Sequence, residues 1–420
     1  MTIDAADLAE RLSGLDGIGA GPGGEVNRLA WTAEDAATRA WFEAQAAQLG
    51  RAVERDPAGN LWALPQAKPP GDAGRSQPGD ALPGSGGPWW AVGSHLDSVR
   101  GGGRFDGPLG VAAAFAVAAA AEQPLAVVSF ADEEGARFNT PTFGSRALVG
   151  RLDVDEVLAR RDDGGVALRD AMAAADVDPD RLRDAPAWLD RISGFLELHI
   201  DQTRDLAAAG SPVGVVRSLA SRLRLQADLH GQADHAGTTS RADRRDAMSA
   251  AARLIVAAED LAAGEPDFVV TAARIHVEPN ALTTVPAHVR LWIDARAPEP
   301  HAVEAWRARL ETAAAELAER TRVEIELITA SHSAGVTFDP AVREALGAAA
   351  AASIGEPAPD LVCFAGHDAG VIAERKPAGM VFVRNETGVS HSPEEHVDLG
   401  DAAAAATVLL RAAEKLAATR

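Results

Sequence analysis

A single cysteine, Cys363, stands in a chain of 420 residues. It can close no internal disulfide and build no cysteine-based zinc site, and its isolation fits a reducing cytoplasm. No apolar run approaches the roughly 20 residues that a helix needs to span a bilayer. The opening residues, MTIDAADLAERL, carry acids where a secretory leader has a basic segment followed by an apolar one, so neither a leader nor a membrane partner is expected. Positive charge is scarce as well: Lys and Arg total 40 against 61 Asp and Glu, a net charge of −21. That balance repels phosphate backbones and argues against a nucleic-acid partner. The hydrophobic content of 47% is ordinary for a globular protein. At roughly 150 residues per domain, the length suggests two or three domains.

Residues 5–50 read as helical, in AADLAERLSGL and TAEDAATRAWFEAQAAQLG, with Thr32 and Asp35 spaced as a capping pair. The stretch 66–88 is dense in Pro, Gly, Asp and Ser and reads as a long surface loop. PWWAVGSHLD and PLAVVSFADEE are short apolar runs ending in polar residues, the pattern of buried strands in a parallel α/β sheet. An Ala-rich helix, LGVAAAFAVAAAAEQ, lies between them, and FLELHIDQ is a further strand. From about Ser211 the order becomes β-α-β-β-α-β, which predicts an inserted domain over 211–330. The chain then returns to a discontinuous first domain, 1–210 with 331–420.

Polar residues collect at the carboxyl ends of these strands, where open parallel sheets bind ligands. His95 and Asp97 follow the first strand in GSHLDS, and Asp106 lies in the glycine-rich GGGRFDG, which permits close approach. Glu133 and Glu134 end the next strand, His199 ends a third, and His391 sits in GVSHSPEE. Singly, each has an ordinary explanation: a hydrogen-bonded core histidine, a turn aspartate, a solvated acidic edge. Together, imidazoles and carboxylates at strand ends of one sheet make a ligand set suited to Zn, Mn, Co or Ni. Adjacent acids on a strand end point different ways, so one can hold metal while the other handles a proton.

The motifs GSHLDSVRGGGRFDGPLGV, FADEEGARF, FGSRALVGRL, LELHIDQ, GQADHAGTTSRADRRDA, VEPNALTTVP, AGHDA and GVSHSPEE run in order along the chain. In this the sequence resembles the hydantoinase/carbamoylase branch of the co-catalytic metallohydrolases related to aminoacylase and carboxypeptidase G. The branch includes N-carbamoyl-L-amino acid hydrolases, allantoate amidohydrolases and β-ureidopropionases. The resemblance implies an α/β catalytic domain with a mixed, largely parallel sheet holding two divalent metals per subunit, plus an inserted lid and dimerisation domain. His95 and His199 with bridging Asp106 are expected to hold one metal, and Glu134 and His391 with the same Asp106 the second. Asp97 is expected to orient His95, and Glu133 to act as general base. His235 is expected to stabilise the oxyanion in a homodimer partner's site, and Asn280 and Arg296 to bind the substrate carboxylate. Gln202 and Gly366 match positions lining the substrate pocket.

Several residues depart from the branch around that pocket. Arg222 stands in place of a polar amide, Phe364 in place of glycine, and Thr283 in place of asparagine. Every expected ligand and the general base are nevertheless present. The implied activity is hydrolysis of the ureido C–N bond of an N-carbamoyl-L-amino acid or similar ureido carboxylate, releasing ammonia, carbon dioxide and the amino acid. Allantoate amidohydrolase shares that chemistry. A peptidase or N-acyl amino acid hydrolase is disfavoured by His199, where such relatives carry an acid. A non-catalytic ureido-acid binder is disfavoured by Glu133, since a binder needs no base.

Overall fold

The computed structural model describes residues 1–65, 88–265 and 267–419. The predicted loop over 66–88 therefore lies, apart from Pro88, outside the described residues. Two compact units emerge. The larger takes Met1–Arg217, Thr337–Leu361 and Gly366–Arg420; the smaller takes Ser218–Val336 and Val362–Ala365.

The larger unit is built on a nine-stranded mixed sheet. At its centre Leu125–Phe130, Trp89–His95, Ile192–Ile200 and Ala378–Val383 run parallel. Leu61–Leu64 and then Ala52–Arg55 add antiparallel strands on one side, and Val213–Leu219 adds one on the other. The central strands are buried along their whole length. This is why they read as continuous apolar runs rather than alternating ones. Each fully buried Val, Leu or Phe there contributes about 1.5–3 kcal/mol. The Ala-rich helix Pro108–Ala120 packs against this sheet with almost every side chain buried. Small side chains let helix and sheet approach closely all round.

Helices form at Ala5–Ser13 and Ala33–Gln48, separated by a glycine-rich irregular segment that no helix could span. Thr32 Oγ1 accepts the Asp35 N–H, and Asp35 Oδ2 accepts the Trp31 N–H, so the pair caps the helix reciprocally. Three short helices and a 3-10 run, Pro179–Arg191, fill 143–191, where the sequence shows no clear periodicity. The strand Val213–Leu219, assigned to the insert by its alternating pattern, pairs instead with Ala378–Val383 of the larger sheet. Its alternation runs straight on into the next strand, so pattern alone does not mark the boundary.

The smaller unit has a four-stranded antiparallel sheet in the order Glu324–Ser333, Ser221–His230, His288–Ala297, Val269–Glu278. Leu223, Leu225, Val289, Leu291 and Ile293 pack on the helices Ala247–Asp260 and Pro300–Thr321. The intervening residues form the opposite, open face, as the period-two pattern requires. Asp234–His235 and Thr284–Val285 make a separate two-stranded pair. Among the described residues, no helix is long and apolar enough to cross a membrane.

Candidate metal centre

His95 and His199 end adjacent parallel strands, and their rings lie 5.8 Å apart, centroid to centroid. Both are fully buried. His95 Nδ1 lies 3.1 Å from the Asp97 carbonyl, and His199 Nδ1 lies 3.0 Å from the Ile200 carbonyl. A carbonyl only accepts, so each Nδ1 carries the proton and each Nε2 turns a lone pair inward. Both Nε2 atoms are buried without a hydrogen-bond partner and face Asp106 Oδ1, at 3.5 Å from His95 and 3.1 Å from His199. Lone pairs converging on a carboxylate leave a deficit of positive charge between them.

Asp106 precedes the helix Pro108–Ala120 by one glycine, and that residue has to be glycine. Gly107 has φ +85°, and a Cβ built there meets His95 Cε1 at 2.4 Å. The other oxygen, Asp106 Oδ2, lies 3.5 Å from His391 Nε2, which is 3.5 Å in turn from Glu134 Oε1. Thus His95, Asp106 and His199 form one compact triad, and Asp106, Glu134 and His391 a second. Asp106 also accepts from Gln202 Nε2 at 2.8 Å and Ser390 Oγ at 2.7 Å. Gln202, expected to line the substrate pocket, thus braces the residue shared by both triads.

Glu133 and Glu134 lie just beyond their strand, which ends at Phe130, because Asp132 turns the chain with φ 52°. They diverge through that turn and not through strand alternation. Glu133 Oε2 approaches His95 Nε2 at 3.9 Å, whereas Glu134 approaches His391. The Asp97 carboxylate fixes the turn, accepting the Glu133 N–H on one oxygen and the Glu134 N–H on the other, each at 3.1 Å. Its Oδ1 is 3.6 Å from His95 Nδ1, farther than its own carbonyl. Asp97 therefore orients His95 through its main chain and holds the two glutamates through its side chain.

The electrostatics show the same demand for cations. Burial pushes the Glu133 carboxyl well above its ordinary value; nearby His95 opposes this, and Asp368, Glu134 and Asp97 add to it. Glu134 is pushed up to about 8 by burial and by Asp106. Burial alone would raise Asp106, but His199 and His95 hold it well below the usual carboxylate range. Burial works against charge on His95, yet the negative charge of the Asp106, Asp97 and Glu133 carboxylates around it lifts its pKa well above that of free histidine. His199 is raised likewise, burial being outweighed by Asp106 and Glu197. Divalent cations meet this demand, and the imidazole–carboxylate donor set fits Zn, Mn, Co or Ni.

Two neighbours went unrecognised in the sequence. His367 is buried, 4.3 Å from the His199 ring, and neither of its nitrogens has a hydrogen-bond partner. Glu395 supports Asp106 from behind, as described below. His367 and Asp368 follow the strand Asp360–Cys363, so the rule that drew attention to His95 and Asp97 could have found them.

The remaining residues are placed elsewhere. Gly366 is exposed in the larger unit, and a Cβ added there meets nothing within 4 Å. His235, Asn280 and Arg296 belong to the smaller unit. His235 is exposed, and its Nδ1 accepts the N–H groups of Gly237 at 3.0 Å and Thr238 at 3.2 Å. Its proton is therefore on Nε2, making that atom an outward donor. Asn280 is exposed. Arg296 Nε donates to Asp294 Oδ1 at 2.7 Å, and its Nη1 donates to the Phe364 carbonyl.

An α/β sheet with buried histidines and carboxylates converging at its strand ends defines a metal-dependent hydrolase. Residues 80–415 match the model for peptidase family M20/M25/M40, and the chain belongs to that family, in its hydantoinase/carbamoylase branch of amidohydrolases. It is 36% identical over 423 residues to an N-carbamoyl-L-amino acid amidohydrolase of Geobacillus stearothermophilus, covering 99% of each chain. It is 30% identical to an allantoate amidohydrolase of Bacillus subtilis, covering 93% of this chain and 92% of that one. The crystal structure of a hydantoinase/carbamoylase family amidase from Burkholderia multivorans superposes with a TM-score of 0.85 at 30% identity, over 99% of this chain and 98% of the other.

Proposed function

We propose that the protein hydrolyses the ureido C–N bond of N-carbamoyl-L-amino acids or closely similar ureido carboxylates, releasing ammonia, carbon dioxide and the amino acid. The observation that carries this reading is Glu133. It is a buried carboxylate 3.9 Å from His95 Nε2, yet it belongs to neither ligand triad. A carboxylate so placed is available for proton transfer. The ureido class is supported by whole-length similarity to the Geobacillus stearothermophilus N-carbamoyl-L-amino acid amidohydrolase.

His95, Asp106 and His199 would hold one divalent metal, and Asp106, Glu134 and His391 a second. When bound, such ions supply Lewis acidity that polarises a carbonyl and lowers the pKa of water. Glu133 takes a proton from the attacking water and delivers it to the departing nitrogen, whose loss leaves carbamate to decompose. His235 offers its Nε2–H to the developing oxyanion. Arg296, with Asn280, binds the substrate carboxylate through the planar guanidinium fork. Gln202 positions Asp106, and the bare backbone at Gly366 leaves room for substrate. We assign the working form as a cytoplasmic homodimer in which His235 serves the partner's site; a strictly monomeric form with full activity would contradict that assignment.

The test is ammonia release from metal-reconstituted protein offered N-carbamoyl-L-amino acids, their D-enantiomers, allantoate, N-carbamoyl-β-alanine and N-acetyl amino acids. Turnover of a ureido compound that disappears in Glu133→Gln, while metal content persists, supports the reading. Turnover of N-acetyl compounds alone overturns it.

A further inference from the structure

Of the five residues in the two triads, His391 alone is exposed, and its ring is the least directly held. His95 and His199 each lodge Nδ1 on a main-chain carbonyl. Among the described residues no carbonyl does this for His391, whose Nε2 only faces Asp106 and Glu134 at 3.5 Å. Its backbone is also unusual. With φ 56° it lies in the left-handed region, where a non-glycine residue persists only if the surrounding chain imposes it. The position of this ring is therefore set by the main chain that carries it.

That main chain is organised by Asn385, a fully buried residue just beyond the strand Ala378–Val383. Its Oδ1 accepts from Thr387 Oγ1 at 2.8 Å, from the Thr387 N–H at 3.2 Å and from the Gly388 N–H at 3.3 Å. Its Nδ2 donates to the Val389 carbonyl at 2.8 Å. Thr387 Oγ1 accepts the Val389 N–H at 3.1 Å, and Gly388 makes the turn with φ 65°. One amide and one hydroxyl thus bind every main-chain N–H from 387 to 389. The pattern needs an acceptor and a donor on one short side chain, which asparagine supplies and an ionised aspartate does not. From outside, Arg204 Nε donates to the Thr387 carbonyl at 2.9 Å. Ser390 then reaches Asp106 Oδ2, and His391 follows it.

We propose that Asn385 is a positioning residue for the metal site of Asp106, Glu134 and His391. Its amide closes the loop, the loop imposes the left-handed backbone at His391, and that backbone aims the imidazole. The proposal rests on the reading of this triad as a metal site. Asn385 acts on one triad and not the other. His95 and His199 keep their own carbonyl partners whatever the loop does. Asp106, which both triads share, keeps the Gln202 amide on its side chain and Glu395 on its main-chain N–H. Loss of the Asn385 amide therefore weakens one ion and spares its neighbour.

The test is competitive zinc titration of the full-length, metal-stripped protein against a chromophoric chelator, with thermal unfolding followed in parallel. Wild type, Asn385→Ala, Asn385→Asp, Thr387→Val and His391→Ala are compared. Wild type is expected to bind two ions and His391→Ala one. In Asn385→Ala one ion should bind at least about tenfold more weakly, the lower end of the loss seen when outer support of a ligand is removed, while the other keeps its affinity. Asn385→Asp retains the acceptor and should recover part of the loss. Thr387→Val removes only the bridging hydroxyl from a half-buried position, and should weaken the same ion by a smaller factor. It decides the matter alone if the Asn385 variants do not fold. Two ions weakened in step would mean that the loop merely stabilises the unit, and would overturn the proposal. So would two ions held as in wild type. A wild type that binds one ion, or a His391→Ala that binds two, would instead overturn the reading of the triad itself, and the proposal with it.

Discussion

Glu395 grips the backbone of Asp106. Its Oε1 accepts the main-chain N–H of Phe105 at 2.7 Å and of Asp106 at 2.9 Å, while Oε2 lies 3.3 Å from Ser390 Oγ. Ser390 donates in turn to Asp106 Oδ2. The residue shared by the two ligand triads is thus held at backbone and side chain by one buried acid from a segment 289 positions away.

Removing that grip is expected to loosen the triads before it unfolds the protein. Glu395→Ala leaves two buried N–H groups unpaired, at a cost of about 1–3 kcal/mol each. Metal affinity should fall about 10–100-fold, as it does when outer support for a ligand is lost. Glu395→Gln keeps an oxygen for the two N–H groups and should recover much of that loss. Competitive metal titration of both variants decides the matter; equal affinity in Glu395→Ala and wild type would remove the supporting role.

Asp97 gives a second prediction. In Asp97→Asn one carboxylate oxygen becomes an N–H donor and confronts the N–H of either Glu133 or Glu134. The main-chain carbonyl that receives His95 Nδ1 is untouched. The variant should therefore bind metal at the His95 triad nearly as wild type does. Its kcat should drop about 10–100-fold, because the turn bearing the base is misplaced. A variant that loses His95-triad metal but keeps its turnover rate on residual metal would contradict this division of labour.

Gly107 gives a third. Gly107→Ala combines a positive φ, costing roughly 1–3 kcal/mol, with a Cβ driven into the His95 ring. Backbone movement there displaces His95 and Asp106 together, so metal content should fall in protein that retains its far-ultraviolet circular dichroism. Full metal occupancy would show that the neighbouring ring yields and that the glycine is not required.

His95, Asp106, Glu134, His199 and His391 were legible because each closes a strand or turn with a polar side chain after an apolar run, and that contrast is local. The parallel core was legible for the same reason: Val, Leu and Phe cluster without alternation where both faces are covered. Glu395 was not legible, since its significance lies in two N–H groups that only the folded chain brings near. The turn after Phe130 was missed because Ala131 prolongs the apolar run, and only the backbone at Asp132 shows where it stops. The boundary near residue 211 failed because a strand's alternation carries no label for the sheet it joins.

The last prediction concerns pH and a carboxylate that belongs to neither ligand triad. Asp56 is buried, and its oxygens accept from the Ala58 N–H, the Asn60 N–H, Asn60 Nδ2 and Trp62 Nε1. Asn60 Oδ1 accepts the Ala131 N–H, so this cluster braces the start of the turn that carries Glu133. Burial pushes the Asp56 carboxyl from 3.8 up to about 6, against the opposing pull of the Trp62 and Asn60 bonds. A folded pKa above the unfolded one means that the native state binds the proton more tightly. The stability this contributes is complete below pH 4 and is lost as pH rises through 6, amounting to about 3 kcal/mol. Many acids titrate in the same range, so the quantity to measure is the difference in unfolding free energy between wild type and Asp56→Asn. Asparagine cannot ionise, and its amide nitrogen faces donors at every pH. Wild type should therefore hold its largest advantage near pH 4 and lose up to about 3 kcal/mol of it by pH 7. An advantage that grows with pH would mean that the four donors outweigh burial and that Asp56 is ionised throughout.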